Sequence, residues 1–208
     1  MIQLVIDSLS DLLPDEAKAL RMTLLALPVR FGGEEFHEGV DLSREEFFRR
    51  LRSCTELPKT SQIDPDTYRH TFRKLLSDTD TRILYLAGSS RLSGCFQSAC
   101  LAREMLGADA ARVHIFDTLT AISGCAQMVW EAARMRDQGM TMEAMIAALE
   151  DLQAHQRTFG QAEDLKYLVM GGRLNPLVAQ AGGALGIKPM LKFEEGAVEK
   201  AGLVRGRD

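Results

Sequence analysis

The chain has 208 residues, 46% hydrophobic and 26% charged, with 25 Lys and Arg against 29 Asp and Glu for a net charge of −4. This is an ordinary globular balance, able to bury a core without metals or disulfides, and long enough for one large domain or two small ones. It offers no basic run interleaved with aromatics, which argues against nucleic-acid partners, and no apolar run near the roughly twenty residues of a membrane span.

The four cysteines, Cys54, Cys95, Cys100 and Cys125, form no CxxC, and no His sits at metal-ligand spacing from them. Scattered thiols suit a reducing compartment. Met1–Asp7 lacks a cationic leader and its apolar run stops at an acid, so it reads as a first strand rather than a signal peptide. A cytoplasmic location is expected, with no metal or cofactor.

In chain order, Leu4-Val5-Ile6 is a short apolar run closed by Asp7-Ser8, the pattern of a buried parallel strand entering a loop. A helix is predicted near Pro14-Asp15-Glu16, where Pro suits the first turn. Leu25, Leu27, Val29 and Phe31 alternate and read as one strand. Gly32-Gly33 then turns the chain back through Glu34–His37. Ser43-Arg44-Glu45-Glu46 matches a capping box, with Phe47, Phe48 and Leu51 as the apolar face of its helix. Lys59-Thr60-Ser61-Gln62 reads as an extended loop ahead of a helix that Asp64 caps and Pro65 opens.

Ile83–Ala87 is the clearest buried strand, leading through Gly88 and three serines into a helix carrying Phe96, Ala99, Cys100 and Leu106. Val113–Phe116 is a further strand, closed by Asp117-Thr118. Helices are predicted over 121–138 and 141–156. Beyond residue 158 come a short helical face of Leu165, Leu168 and Val169, glycine turns at 171–172 and 182–183, a strand at 187–191 and a turn at 194–196. Alternating strands and helices predict an α/β fold with a parallel sheet flanked by helices over 1–157. Residues 158–208 then begin a second, incomplete α+β domain. Ligands of such sheets sit beyond the carboxyl ends of the strands, so the loops at Asp7-Ser8, Ser89–Gly94 and Asp117-Thr118 are expected on one edge.

Three segments could carry chemistry. Gly88-Ser89-Ser90-Arg91-Leu92-Ser93-Gly94 joins a strand to a helix, where hydroxyls and free N–H groups can converge on an anion; equally, the serines could only cap the helix. Thr60-Ser61-Gln62 adds two hydroxyls near the same edge, or is an ordinary polar loop. Arg173, after Gly171-Gly172, is a surface Arg or a guanidinium aimed at an anion. There is no GxSxG, GxxxxGK[ST] or HExxH. His37, His70, His114 and His155 are dispersed, and Cys95 reads as a buried structural thiol.

Taken in order, Ile6-Asp7-Ser8-Leu9-Ser10-Asp11-Leu12, Leu27-Pro28-Val29, Thr60-Ser61-Gln62, Ser90–Gly94, Asp117-Thr118, Leu165–Leu168, Gly171-Gly172-Arg173 and Ile187-Lys188-Pro189 resemble the DegV family. The resemblance implies a two-domain protein whose first domain is like that of dihydroxyacetone kinases. It implies an enclosed long-chain fatty acid, with the carboxylate held by Thr60, Ser61 and Ser93 beside Gly94. The tail would lie in an apolar tunnel, and the acid would be presented to a fatty-acid kinase without chemistry by the binding protein. Arg173 and Arg205 are the expected ligand or partner contacts. The chain departs from the family pattern at Cys95, where Thr is common, at Ile6, and in stopping at Asp208. Two other readings stand beside this one: a dihydroxyacetone-like kinase subunit, and a truncated scaffold that binds nothing.

Overall fold

The computed structural model describes residues 1–54, 56–162, 165–176 and 187–205. In chain order the elements are β1 (Ile2–Asp7), α1 (Pro14–Ala19), β2 (Met22–Leu25), β3 (Pro28–Phe31), β4 (Glu34–His37), α2 (Arg44–Ser53), β5 (Lys59–Thr60) and α3 (Pro65–Leu75). There follow β6 (Arg82–Ala87), α4 (Cys95–Glu104), β7 (Val113–Asp117), α5 (Ile122–Asp137), α6 (Met142–His155), β8 (Phe159–Gln161), α7 (Lys166–Met170), β9 (Ile187–Glu194) and β10 (Ala197–Arg205).

The central sheet is parallel, in the order β2-β1-β6-β7, with Leu4 opposite Met22, Val5 opposite Tyr85 and Leu86 opposite Phe116. Successive side chains leave a strand on opposite faces, and here both faces are covered. Leu4, Ile6, Leu84, Leu86 and Phe116 pack against Cys125, Met128, Val129, Met145 and Leu149 of α5 and α6. Val5, Ile83, Tyr85 and Ile115 pack against Tyr68, Phe72, Ala99 and Ala102 of α3 and α4. Burial on both sides is why β1 and β6 read as continuous apolar runs rather than alternating ones.

Helix starts follow their caps. Asp64 accepts the Thr67 N–H at 2.9 Å and the Thr67 hydroxyl at 2.6 Å, and Pro65 takes the first position. Removing that acceptor strands an N–H of the first turn. Asp64→Ala is expected to cost about 1 kcal/mol, read as a lower urea midpoint with unchanged slope; an unmoved midpoint would show that water replaces the cap.

Four expectations change. The run Leu25–Phe31 is two strands in two sheets, with Pro28, which lacks an N–H, taking the first position of β3. Leu27 forms the link, its N–H given to the Ser8 hydroxyl at 3.0 Å and its carbonyl receiving the Glu38 N–H. Lys59-Thr60 is not loop but β5, paired antiparallel to β3 with Thr60 opposite Val29 in the small sheet β4-β3-β5. The capping box at Ser43 is half made: Ser43 accepts the Glu46 N–H at 3.2 Å, but the Glu46 carboxylate turns to Arg49 and Arg50. Nor does α2 bury an apolar face. Phe47 stacks edge-on to Phe31 at 5.7 Å between centroids, and Phe48 is 52% exposed.

The strands after residue 158 form their own antiparallel sheet, β10-β9-β8, over a small cluster of Leu165, Leu174 and Leu191. Glu195 and Gly196, both at positive φ, make the tight turn between β9 and β10. That turn docks on the first sheet: the Ser89 hydroxyl donates to the Gly196 carbonyl at 2.6 Å. A Cβ at Gly196 would stand 2.6 Å from the same oxygen. The expected glycine turn at 182–183 lies outside the described residues. No helix among the described residues is long and apolar enough to cross a membrane.

Candidate functional site

Because β1, β6 and β7 are parallel neighbours, the loops that follow them emerge on one edge. They are tied to each other. Asp117 accepts the Ser90 and Leu119 N–H groups, each at 3.1 Å, and the Ser89 N–H reaches the Thr120 carbonyl at 2.8 Å. The three serines then divide. Ser89 is fully buried and its hydroxyl is committed to Gly196 and to the Arg91 N–H. Ser93 accepts the Cys95 N–H at 3.3 Å as α4 begins, and its hydroxyl also borders a cavity.

That cavity has a volume of about 530 Å³, within the range of small-molecule sites. Thr60, Ser61, Gln62, Ser93, Gly94 and Arg173 supply polar lining; Leu27, Leu168, Leu191, Phe193 and Val198 supply apolar walls. The lining therefore comes from segments beyond the central sheet's strand ends, from β5 and from the β10-β9-β8 sheet. Two contacts bring the polar segments side by side. A Cβ on Gly94 would fall 1.7 Å from the Gln62 Oε1, so the glycine makes room for that amide. Arg173 donates its Nε–H to the Leu92 carbonyl at 3.0 Å and a terminal N–H to the Gly171 carbonyl at 2.6 Å, which holds the guanidinium beside the seryl loop.

Thr60, Ser61, Ser93, Gly94 and Arg173 thus meet on one cavity, whereas Arg205 closes β10 as an exposed residue outside it. None of the four histidines lines it. Glu38 does, and was not foreseen. Its carboxyl is pushed up by burial and by the nearby Asp11, with Arg44 opposing. No spacing signal marks Glu38, because it reaches the cavity only through the break between β2 and β3. Ile122, at the start of α5, also lines the cavity and has φ 48°, a strained backbone for a β-branched residue. Cys95 is buried and its thiol is pushed up by desolvation, as befits an unreactive group. Among the described residues no cluster could hold a metal ion.

An α/β sheet covered on both faces, with an antiparallel sheet closing an apolar cavity against hydroxyl-bearing segments, has the form of a ligand-binding site. The chain belongs to the DegV family: the family model described as "Uncharacterised protein, DegV family" matches residues 1–208. A DegV domain-containing protein of Caldanaerobacter subterraneus is 32% identical over 99% of this chain and 72% of its own length. Among solved structures, a DegV family protein from Thermus thermophilus, described by its fatty-acid binding, is 34% identical. It superposes with a TM-score of 0.87 over 99% of this chain and 72% of that one. A stearic-acid-binding protein from Eubacterium ventriosum is 28% identical, with a TM-score of 0.89 over 100% of this chain and 72% of that one.

Proposed function

We propose that this chain binds a long-chain fatty acid. Thr60, Ser61 and Ser93 donate to its carboxylate beside Gly94, Arg173 supplies positive charge, and the tail lies along the walls made by Leu168, Leu191 and Phe193. The single observation that carries this reading is the cavity itself, in which two hydroxyl loops and an apolar surface from a second sheet share one space. The fatty-acid binding of the Thermus and Eubacterium relatives supports it.

The physics is consistent. A carboxylate leaving water must find several donors or be neutralised, and the two loops offer three hydroxyls. A tail of about sixteen carbons, at about 0.8 kcal/mol per methylene, gives roughly 12 kcal/mol before the costs of association. The family resemblance supports a non-enzymatic carrier that hands its acid to a fatty-acid kinase, with Arg205 as a partner contact and residues 1–157 and 158–208 as the two domains. A dihydroxyacetone-like kinase subunit would need a histidine at the cavity to hold the ketone, and none lines it.

Extraction of protein purified from bacteria with a denaturing organic solvent, followed by mass spectrometry, tests the reading. About one equivalent of a long-chain acid is expected. A folded protein that yields no acid and takes up no added palmitate would overturn it.

A further inference from the structure

Among the described residues the apolar cores do not run across the molecule. The two clusters on the faces of the central sheet hold nothing later in the chain than Leu152. The cluster of the antiparallel sheet holds nothing earlier than Ala162. Between the two bodies lie two cavities. One is the fatty-acid cavity, to which the hairpin of β9 and β10 contributes Leu191, Phe193 and Val198. The other, of about 520 Å³, is faced by Thr118, Thr120 and Gln153 from the first body and by Glu194 and Glu195 from the hairpin. Thr158, Phe159, Lys192 and Phe193 line both. The hairpin therefore meets the first body across open space on two sides.

What fastens it is polar and local. The Ser89 hydroxyl donates to the Gly196 carbonyl at 2.6 Å, and the Arg173 Nε–H to the Leu92 carbonyl at 3.0 Å. Both bonds end on the loop that follows β6. The seat for Gly196 is firm. Ser89 is fully buried, gives its N–H to the Thr120 carbonyl at 2.8 Å and accepts the Arg91 N–H at 3.2 Å. A Cβ at Gly196 would also stand 2.9 Å from Cγ of Arg91 and 3.1 Å from Cδ2 of Leu119, so the turn sits between the loops after β6 and β7. Ser89 itself does not line the fatty-acid cavity.

The chain passes from one body to the other at Arg157. Just before it, Gln156 donates its side-chain amide to the Gly124 carbonyl at 2.9 Å and so stays with α5. Just after it, the Thr158 carbonyl accepts the Phe193 N–H at 3.1 Å and so belongs with the hairpin. Arg157 is exposed, and its guanidinium reaches only back to the Ala154 and Gln156 carbonyls.

We propose that the β9–β10 hairpin is a lid on the fatty-acid cavity, turning about Arg157, and that Ser89 is the positioning residue that latches it through Gly196. This rests on the fatty-acid reading and adds to it control of entry and exit. Opening breaks a hydrogen bond whose two partners then find water, so it is a local event well short of unfolding. Entry and exit both pass through the open form. The Ser89 bond belongs to the closed form, filled or empty, so its loss raises the open population by one factor in both. Association and dissociation then quicken together and the affinity stays where it was. A residue that merely shaped the cavity would change affinity instead.

Stopped-flow fluorescence with parinaric acid, a long-chain acid that emits when withdrawn from water, gives both rate constants. In Ser89→Ala each is expected to rise about three- to tenfold, the weight of one neutral hydrogen bond, with Kd unchanged. Hydrogen exchange of the lipid-free protein is the second measurement. Amides of β9 and β10 should exchange faster by a similar factor, while those of β1 and β6 keep their rates. Gly196→Ala, which would set a methyl 2.6 Å from the Ser89 oxygen, lifts the turn from the other side of the contact. It should give the same pattern, and it serves where Ser89→Ala does not fold. Unchanged rate constants, a weaker Kd at an unchanged association rate, or exchange that quickens in β1 and β6 as much as in the hairpin would each overturn the proposal. An unaltered protein that takes up no acid overturns the fatty-acid reading, and hydrogen exchange then still decides whether Ser89 latches the hairpin.

Discussion

Thr60→Ala combined with Ser93→Ala is expected to weaken palmitate binding by a hundredfold or more, with little change in thermal stability. Each hydroxyl that donates to a carboxylate is worth about 1.5–3 kcal/mol when the acceptor is charged and withdrawn from water. Two such losses in one site leave the anion short of donors, and it must then take up a proton or remain in solvent. The fold should tolerate both changes. Thr60 is exposed, and its backbone pairing opposite Val29 does not involve its side chain. Ser93 gives up a 3.3 Å bond from the Cys95 N–H and a 3.2 Å bond to the Cys95 sulfur, both within the first turn of α4. Titration calorimetry with palmitate, beside a thermal melt of the empty protein, separates the effects. Undiminished affinity in the double variant would remove these hydroxyls from the site.

The largest expected loss of stability comes from Gly88→Ala. A Cβ at this position would sit 2.5 Å from both Cβ and Cδ1 of Leu9. Leu9 cannot retreat, because it belongs to the short 3-10 turn Ser8–Ser10 and its N–H is held by the Asp7 carboxylate. Overpacking of this kind costs about 3 kcal/mol at the upper end of its usual range. At about 2–4 °C per kcal/mol for a chain of this size, the midpoint should fall by roughly 6–12 °C. Gly94→Ala makes the contrast. There the new methyl meets the free end of the Gln62 side chain, which can swing aside, so stability should hold while the polar lining rearranges. A calorimetric scan of Gly88→Ala that matched the unaltered chain would mean that the loops after β1 and β6 are loosely joined.

Much of the fold was legible in the sequence for a physical reason. A parallel sheet covered on both faces leaves short apolar runs closed by Asp or Gly, and β1, β6 and β7 carry that mark. Asp64-Pro65 announced a helix start through side-chain chemistry alone. The error at Leu25–Phe31 arose because periodicity records which way side chains point and not which strand they pair with. Leu27 remains buried, but in the link between two sheets. The aromatic face of α2 misled in the opposite direction, since apolar spacing does not guarantee a neighbour to pack against.

The candidate site was legible in its polar half. Thr60, Ser61, Ser93, Gly94 and Arg173 were picked out by the family resemblance, since taken alone hydroxyls and glycines in such segments serve as well to cap a helix or turn the chain. The seryl loop still needed the structure to separate Ser89, which fastens the hairpin, from Ser93, which faces the cavity. The walls were illegible. Leu168, Leu191 and Phe193 look like any core residues in sequence, and only the closure of one sheet over another turns them into lining. Asp7 was read as the end of a strand; its complete burial and its tyrosine partners depend on contacts with residues nearly eighty positions away.

Among the described residues the antiparallel sheet buries Leu165, Leu174 and Leu191 in a cluster of its own, a small core for such a unit. It leans on the first sheet through the Ser89–Gly196 contact and shares the cavity walls. An acyl chain in that cavity would act as missing core, supplying the carbon atoms that the hairpin does not bring. Occupancy and survival would then be one quantity. The filled protein would resist local opening and the empty one would expose its hairpin to proteases, by the same mass action that lets any ligand hold a native state. The amount of this protein in a cell would follow the supply of its lipid, with no regulator needed beyond the degradation machinery already present.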